Sequence, residues 1–170
     1  MVTEDQNPEA RALTQRFTEE TDGLIALLEG CTGEQWRTTC PGEGWSVGTV
    51  ANHVSGSFRF ITGLIESLVN QRPLPETTQE GIDEGNARYA LKRAETDQAE
   101  TIAHFRQRSE DAARVLATLS DQELEIGQPF TLFGGRTATP RNITEAMLIR
   151  HVKSHRAGIQ EAIAQDGARK

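Results

Sequence analysis

The chain reads as all-α, a four-helix bundle with residues 1–170 forming one domain. Three observations predict this. Four stretches repeat apolar residues at intervals of three, four and seven, each is bounded by helix-capping or helix-stopping residues, and no stretch long enough to build a sheet alternates as strands do. A chain of 170 residues can also bury about two-thirds of its unfolded surface in one core.

The first helix is expected over Pro8 to Glu29, with Leu13, Phe17, Leu24, Ile25 and Leu28 on its apolar face and Gly30 placed to stop it. Residues 31–45, broken by Pro41 and three glycines, read as a loop. Ser46 is a suitable N-cap for a second helix, which Pro73 and Pro75 terminate. Its stripe is Val47, Val50, Ala51, Val54, Phe58, Ile61, Ile65 and Leu68. Residues 76–83 are polar and read as a loop, followed by a helical segment over 84–94. Asp97, with Glu100 three residues on, resembles a capping box opening a third long helix to about Leu119, with Ile102, Phe105, Ala112, Leu116 and Leu119 facing inward. Residues 120–135 form a second irregular crossing, in which only Phe130 to Phe133 could pair briefly as a strand. Thr139 caps the fourth helix, Pro140 occupies its first position, and the helix continues to about Gln165.

Composition narrows the partners. The formal charge is −7, and the basic residues are scattered apart from a terminal Arg169-Lys170 pair. Nucleic-acid binding draws its affinity from clustered Lys and Arg, so no nucleic-acid partner is expected. No run of 18 apolar residues is long enough to cross a membrane, and Met1 to Arg11 is too polar for a secretory leader. The expected location is the cytoplasm, where Cys31 and Cys40 would stay thiols.

The four histidines carry the chemistry. His151 and His155 are four apart and project from adjacent turns of one helix face. Counting about 100° per residue from Ile143, they fall at about 80° and 120°, beside Leu148 and Ile159 at about 140° and 160°. Two unpaired imidazoles on a buried face are costly, and a shared metal ion removes that cost. His53, at the flank of the second helix's stripe with Phe60 and Leu64, can supply a third ligand. Three neutral imidazoles suit one divalent transition metal, zinc or nickel first, and copper or iron next, rather than magnesium or calcium. Three protein ligands leave a position open for water or substrate. His104 lies at the edge of its helix's stripe and is expected to be a bystander. Val152 stands where a zinc-protease helix places its catalytic glutamate, and no Glu-x-x-His occurs, which excludes that motif and the di-iron one.

Gly44-Trp45-Ser46-Val47-Gly48 with His53, Arg150 to Ile159 with its histidine pair, and Ile82-Asp83-x-x-Asn86-Ala87 together resemble the DinB/YfiT-like superfamily. That superfamily includes relatives of mycothiol-dependent maleylpyruvate isomerase. The resemblance implies a four-helix bundle with long crossover connections, a metal on His53, His151 and His155, and a homodimer. Several members join low-molecular-weight thiols to electrophiles or isomerise through such a thiol. The chain departs from the isomerase pattern in carrying His151 where a carboxylate is expected, so that activity is not carried over. No counterpart of those enzymes' extra C-terminal domain is expected within residues 1–170.

The leading expectation is a divalent-metal-binding enzyme acting on a small molecule, a low-molecular-weight-thiol S-transferase. A metal-dependent hydrolase is the first alternative, and a non-catalytic metal- or small-ligand-binding stress protein the second. Asp83 and Asn86 are candidates for contacts to substrate or to the ligands, or else cap the helix at Glu84. Trp45 reads as a packing anchor. Cys40 is a minor candidate as a reactive thiol, since nothing in sequence lowers its pKa.

Overall fold

The computed structural model describes residues 7–168; the acidic residues 1–6 and the Arg169-Lys170 pair lie outside them. Four long helices carry the fold: α1 (Pro8–Glu29), α3 (Val47–Val69), α5 (Gln98–Ala117) and α7 (Arg150–Ala168). Short helices α2 (Gly33–Arg37) and α4 (Gln79–Lys92) lie in the first two connections, and α6 (Pro140–Ile143) leads through a π-helical segment, Thr144–Ile149, into α7. The caps act as their residue types dictate: the side chains of Ser46, Thr78, Asp97 and Thr139 accept from backbone N–H groups in the first turns of α3, α4, α5 and α6. Asp121 caps α1 from across the molecule, its Oδ1 accepting from Ala10 N at 3.0 Å.

Pairings between helices fix their directions. Gln98 donates to Leu28 O and Asp121 meets Glu9 and Ala10, so α1 and α5 are antiparallel. Thr49 donates to Arg93 O at the start of α3, while Glu66 and Val69 lie level with Val115 and Leu119 near its end, so α3 and α5 are parallel. Ser57 lies against His151 and His53 against His155, so α7 runs against α3. Each of α1 and α3 packs on both α5 and α7, which closes the bundle. At its centre Phe17, Phe58 and Phe105 stack edge-on, with centroids 5.3 and 5.6 Å apart. Every residue expected on the stripes of the first two long helices is buried.

Three local expectations need correction. α4 begins at Gln79 rather than 84, because the Thr78 hydroxyl caps it. The loop 31–45 holds α2, closed by a capping box between Thr32 and Gln35. The strand pairing is not over 130–133: Gln128–Pro129 pairs with Thr137–Ala138, and Thr131–Phe133 forms the 3₁₀ turn between them. Gly134 and Gly135, with φ of 65° and 79°, close that hairpin in the left-handed region.

The π segment also went unread. Ile143 and Leu148, and Thr144 and Ile149, are buried pairs five residues apart. An α-helix turns such a pair about 140° apart, whereas i→i+5 bonding brings both pairs to the core.

Trp36 of α2 donates from Nε1 to Thr96 O at 3.0 Å, and its ring lies over Gly48. A Cβ at residue 48 would stand 2.5 Å from the indole and from Thr96 Oγ1. Gly48→Ala is therefore expected to destabilise the fold by about 1–3 kcal/mol through overpacking, measured by urea denaturation. An unchanged midpoint would show that Trp36 can move aside without cost.

Candidate metal centre

His53 from α3 and His151 and His155 from α7 come together where the two helices run antiparallel. Each offers a ring nitrogen, and these donor atoms all lie within 4.8 Å of one another. Ring centroids are 4.6 Å apart for His151 and His155, 5.3 Å for His53 and His151, and 5.4 Å for His53 and His155. Tetrahedral zinc with bonds of about 2.1 Å needs nitrogens roughly 3.4 Å apart, so adjustments on the order of 1 Å would close the trio on an ion. The donor set therefore fits a divalent transition metal. All three rings are half-buried rather than enclosed, and they line a cavity of about 800 Å³ between α3, α4 and the π segment with α7.

Neighbouring groups orient the rings. Glu43 Oε1 lies 2.6 Å from His155 Nδ1 and accepts its proton, leaving Nε2 as the lone-pair nitrogen. Ser57 gives its own proton to Val54 O at 2.7 Å, so at 3.5 Å from His151 Nδ1 its oxygen can only accept. That weaker contact selects the same tautomer for His151. Trp45 and Tyr89 pack edge-on against His53, with centroids 5.5 and 6.3 Å away, and the Tyr89 hydroxyl is anchored on Asn52.

Electrostatics keep the rings available. Burial lowers the His53 pKa to about 4, the neighbouring His155 adding to the shift and Glu43 opposing it. Burial lowers His151 to about 3, reinforced by His155 and His53. Both are therefore neutral at pH 7, the state in which imidazole binds a metal.

The other sequence candidates divide. Asn86 lines the cavity, but Asp83 faces outward, accepting from Gln79 Nε2 at 2.8 Å, and neither caps a helix at Glu84. Trp45 both packs at the start of α3 and forms part of the cavity wall. Cys40 is no nucleophile: it is wholly buried, and burial first, then Glu43 and Cys31, push its thiol up to about 12. Both cysteines are free thiols. His104 is exposed on α5 and takes no part in the cluster. Sequence reasoning missed Glu43 and Tyr89. Glu43 sits in a loop ten residues before His53, with no periodicity to mark it, and Tyr89 belongs to a helix whose start was misplaced.

The profile of the mycothiol maleylpyruvate isomerase N-terminal domain family matches residues 17–152, four-fifths of the chain. The chain belongs to that family. Among solved structures it is similar to YfiT from Bacillus subtilis, described as a probable metal-dependent hydrolase with an unusual four-helix bundle topology. The two share 22% identity, with a TM-score of 0.73 over 94% of this chain and 88% of that one, which establishes the same DinB-like bundle. No functionally curated protein matches the chain.

Two outcomes follow from this geometry. Glu43→Ala leaves His155 Nδ1 without its acceptor and is expected to weaken zinc affinity about 10- to 100-fold, read by competition with a chromophoric chelator. Equal affinity would show that Glu43 does not hold the ring. The second concerns metal-free protein. Its unfolded histidines titrate near 6.5, above the folded values of about 4 and 3 for His53 and His151, so the native state binds fewer protons in that window. Stability is full above pH 6.5 and falls below it, by on the order of 2 kcal/mol per histidine at pH 5. Urea denaturation of EDTA-treated protein at pH 7.5 and 5 measures this, and the slope should flatten in His151→Gln.

Proposed function

We propose that this protein is a metal-dependent enzyme that binds one divalent ion through His53, His151 and His155 and joins a low-molecular-weight thiol to a small electrophile. The observation that carries this reading is the convergence of three imidazoles, each held by a neighbouring side chain, on the wall of a cavity of about 800 Å³. A storage or structural site closes its coordination sphere with protein donors, whereas three ligands beside an open cavity leave a position for a reactant. His104, the remaining histidine, is exposed on α5 and cannot supply a fourth ligand without rebuilding the bundle.

The ion's chemistry is to lower the pKa of a thiol or water that it coordinates, giving a nucleophile at neutral pH. The chain does the rest. Glu43 and Ser57 hold His155 and His151 in the tautomers that leave Nε2 unprotonated. Trp45 and Tyr89 pack edge-on against His53 and hold the plane of its ring. The cavity volume accommodates an organic thiol beside a second reactant, where a hydrolytic site needs room only for its substrate and water. Membership of a family named for a mycothiol-dependent enzyme supports the transfer reading. The second reading is hydrolysis, supported by the description of the YfiT structure, and it uses the same ligands with water as the nucleophile.

Metal content tests the shared foundation. Wild-type protein and His104→Gln are expected to hold about one zinc or nickel per chain by elemental analysis, and His151→Ala to lose most of it. Equal content in His151→Ala would sink the site. Metal-loaded protein mixed with monochlorobimane is expected to consume it with a cysteine-based thiol and to depend on His151. Turnover of p-nitrophenyl acetate without thiol, and none of the bimane, would reverse the ranking of the two readings.

A further inference from the structure

The cavity extends well beyond the histidines, and its layers can be read from the antiparallel register of α3 and α7. His53 is level with His155 and Ser57 with His151, so Phe60 and Ile61 are level with Met147. This last layer stands seven or eight residues along α3 from His53, about 10–12 Å at 1.5 Å per residue. Leu132 and Phe133 of the hairpin complete it. Phe60 is 42% exposed, one of two large apolar side chains so exposed among the described residues, and the space it faces is this cavity. An apolar residue left open there has a reason to be open if a ligand covers it.

Charge lines the cavity unevenly. Among the described residues Glu43 is its only carboxylate, and it is committed to His155. Among the described residues Arg150 is its only guanidinium or ammonium, is exposed, and makes no side-chain hydrogen bond or ion pair with them. A helical side chain leans toward the N-terminus of its helix, so Arg150 leans from the level of His151 toward that of Met147, over the apolar layer. An unpaired guanidinium at that place, in a protein of net charge −7, is a specific departure from its surroundings.

We propose that the cavity takes an elongated organic monoanion: a polar group at the histidines, an apolar body of one aromatic ring or short alkyl chain against Phe60, Ile61, Phe133 and Met147, and a carboxylate paired with Arg150. The proposal rests on reading the cavity as the reaction chamber. Its apolar wall and its arginine, however, do not depend on the metal, which allows separate tests.

Calorimetry with EDTA-treated protein compares 4-phenylbutyrate with the neutral 4-phenylbutyramide. The carboxylate is expected to bind about fivefold tighter. Arg150→Gln, at an exposed position with no protein partner to lose, should abolish that preference while leaving the amide within twofold. Phe60→Ser should weaken both. Equal binding of the two compounds to wild type, or a preference that survives Arg150→Gln, overturns the anion assignment, and acetate binding as tightly as phenylbutyrate overturns the apolar body. Metal-loaded protein is then titrated with 4-phenylbutanohydroxamic acid and its para-carboxy derivative, where the same fivefold ratio and the same loss in Arg150→Gln are expected. A preference present in the metal-free protein alongside absent metal uptake would refute the metal reading and uphold this one; normal metal uptake without any preference would do the reverse.

Discussion

Because α3 and α5 run parallel, the chain must travel back along the whole bundle between them, and the centre of this protein follows from that requirement. The return is made by residues 70–97, whose middle is α4. Only Ala90 of α4 is buried, so this helix does not join the four-helix core but lies outside α3 and α7. It is fastened at both ends: Thr77 exchanges hydrogen bonds with Thr131 of the hairpin, and Tyr89 reaches Asn52. A helix held at its ends and free along its middle leaves space beneath it, and the histidines open into that space. The hairpin, the second return of the chain, supplies the far wall.

Within that space the three imidazoles set the electrostatic terms. Protonating His53 or His151 would put a charge in a half-buried place beside another imidazole, and their lowered pKa values express first the burial and then that neighbour. The lone pairs of His53 and His151 are consequently free at neutral pH. Glu43, the one carboxylate among the described residues lining the cavity, lies against the outer nitrogen of His155, where it raises the basicity of the inner one. Its Oε2 is buried without a hydrogen-bond partner among the described residues, so the carboxylate is held for its contact with the ring and not by a wider network.

The long helices were legible because each is written twice, in a 3.6-residue apolar stripe and in a cap of Ser, Thr or Asp. The histidine cluster was legible for a related reason: His151 and His155 share a helix, and His53 lies on the flank of another stripe. What escaped has no such double record. Glu43 acts from an irregular loop, where sequence distance says nothing about spatial distance. Asp83 was assigned a role from a short motif, but its helix starts a turn earlier than its polar sequence suggested, and that phase points it outward while Asn86 points in. Cys40 could not be judged at all without knowing that the loop folds back on itself, Cys40 N–H reaching Trp45 O at 2.8 Å, and seals the thiol away.

The π segment ties the candidate centre to chain length as well as to residue identity. One turn of i→i+5 bonding amounts to a single extra residue within an α-helix, inserted immediately before His151. Deleting one residue from 144–149 would let the helix relax to regular α geometry, a change the backbone itself favours. The wider turn absorbs that residue, so the faces on either side keep their phase: Ile143 and Leu148, five apart here, would stand four apart in the shortened α-helix and still face the core together. His151 and His155 would go on facing His53, whereas a regular α-helix of the present length would turn them about 100° away. A relative with the three histidines and one residue fewer in this stretch therefore has the same faces available, although a residue-by-residue count along the helix would place its histidines out of step.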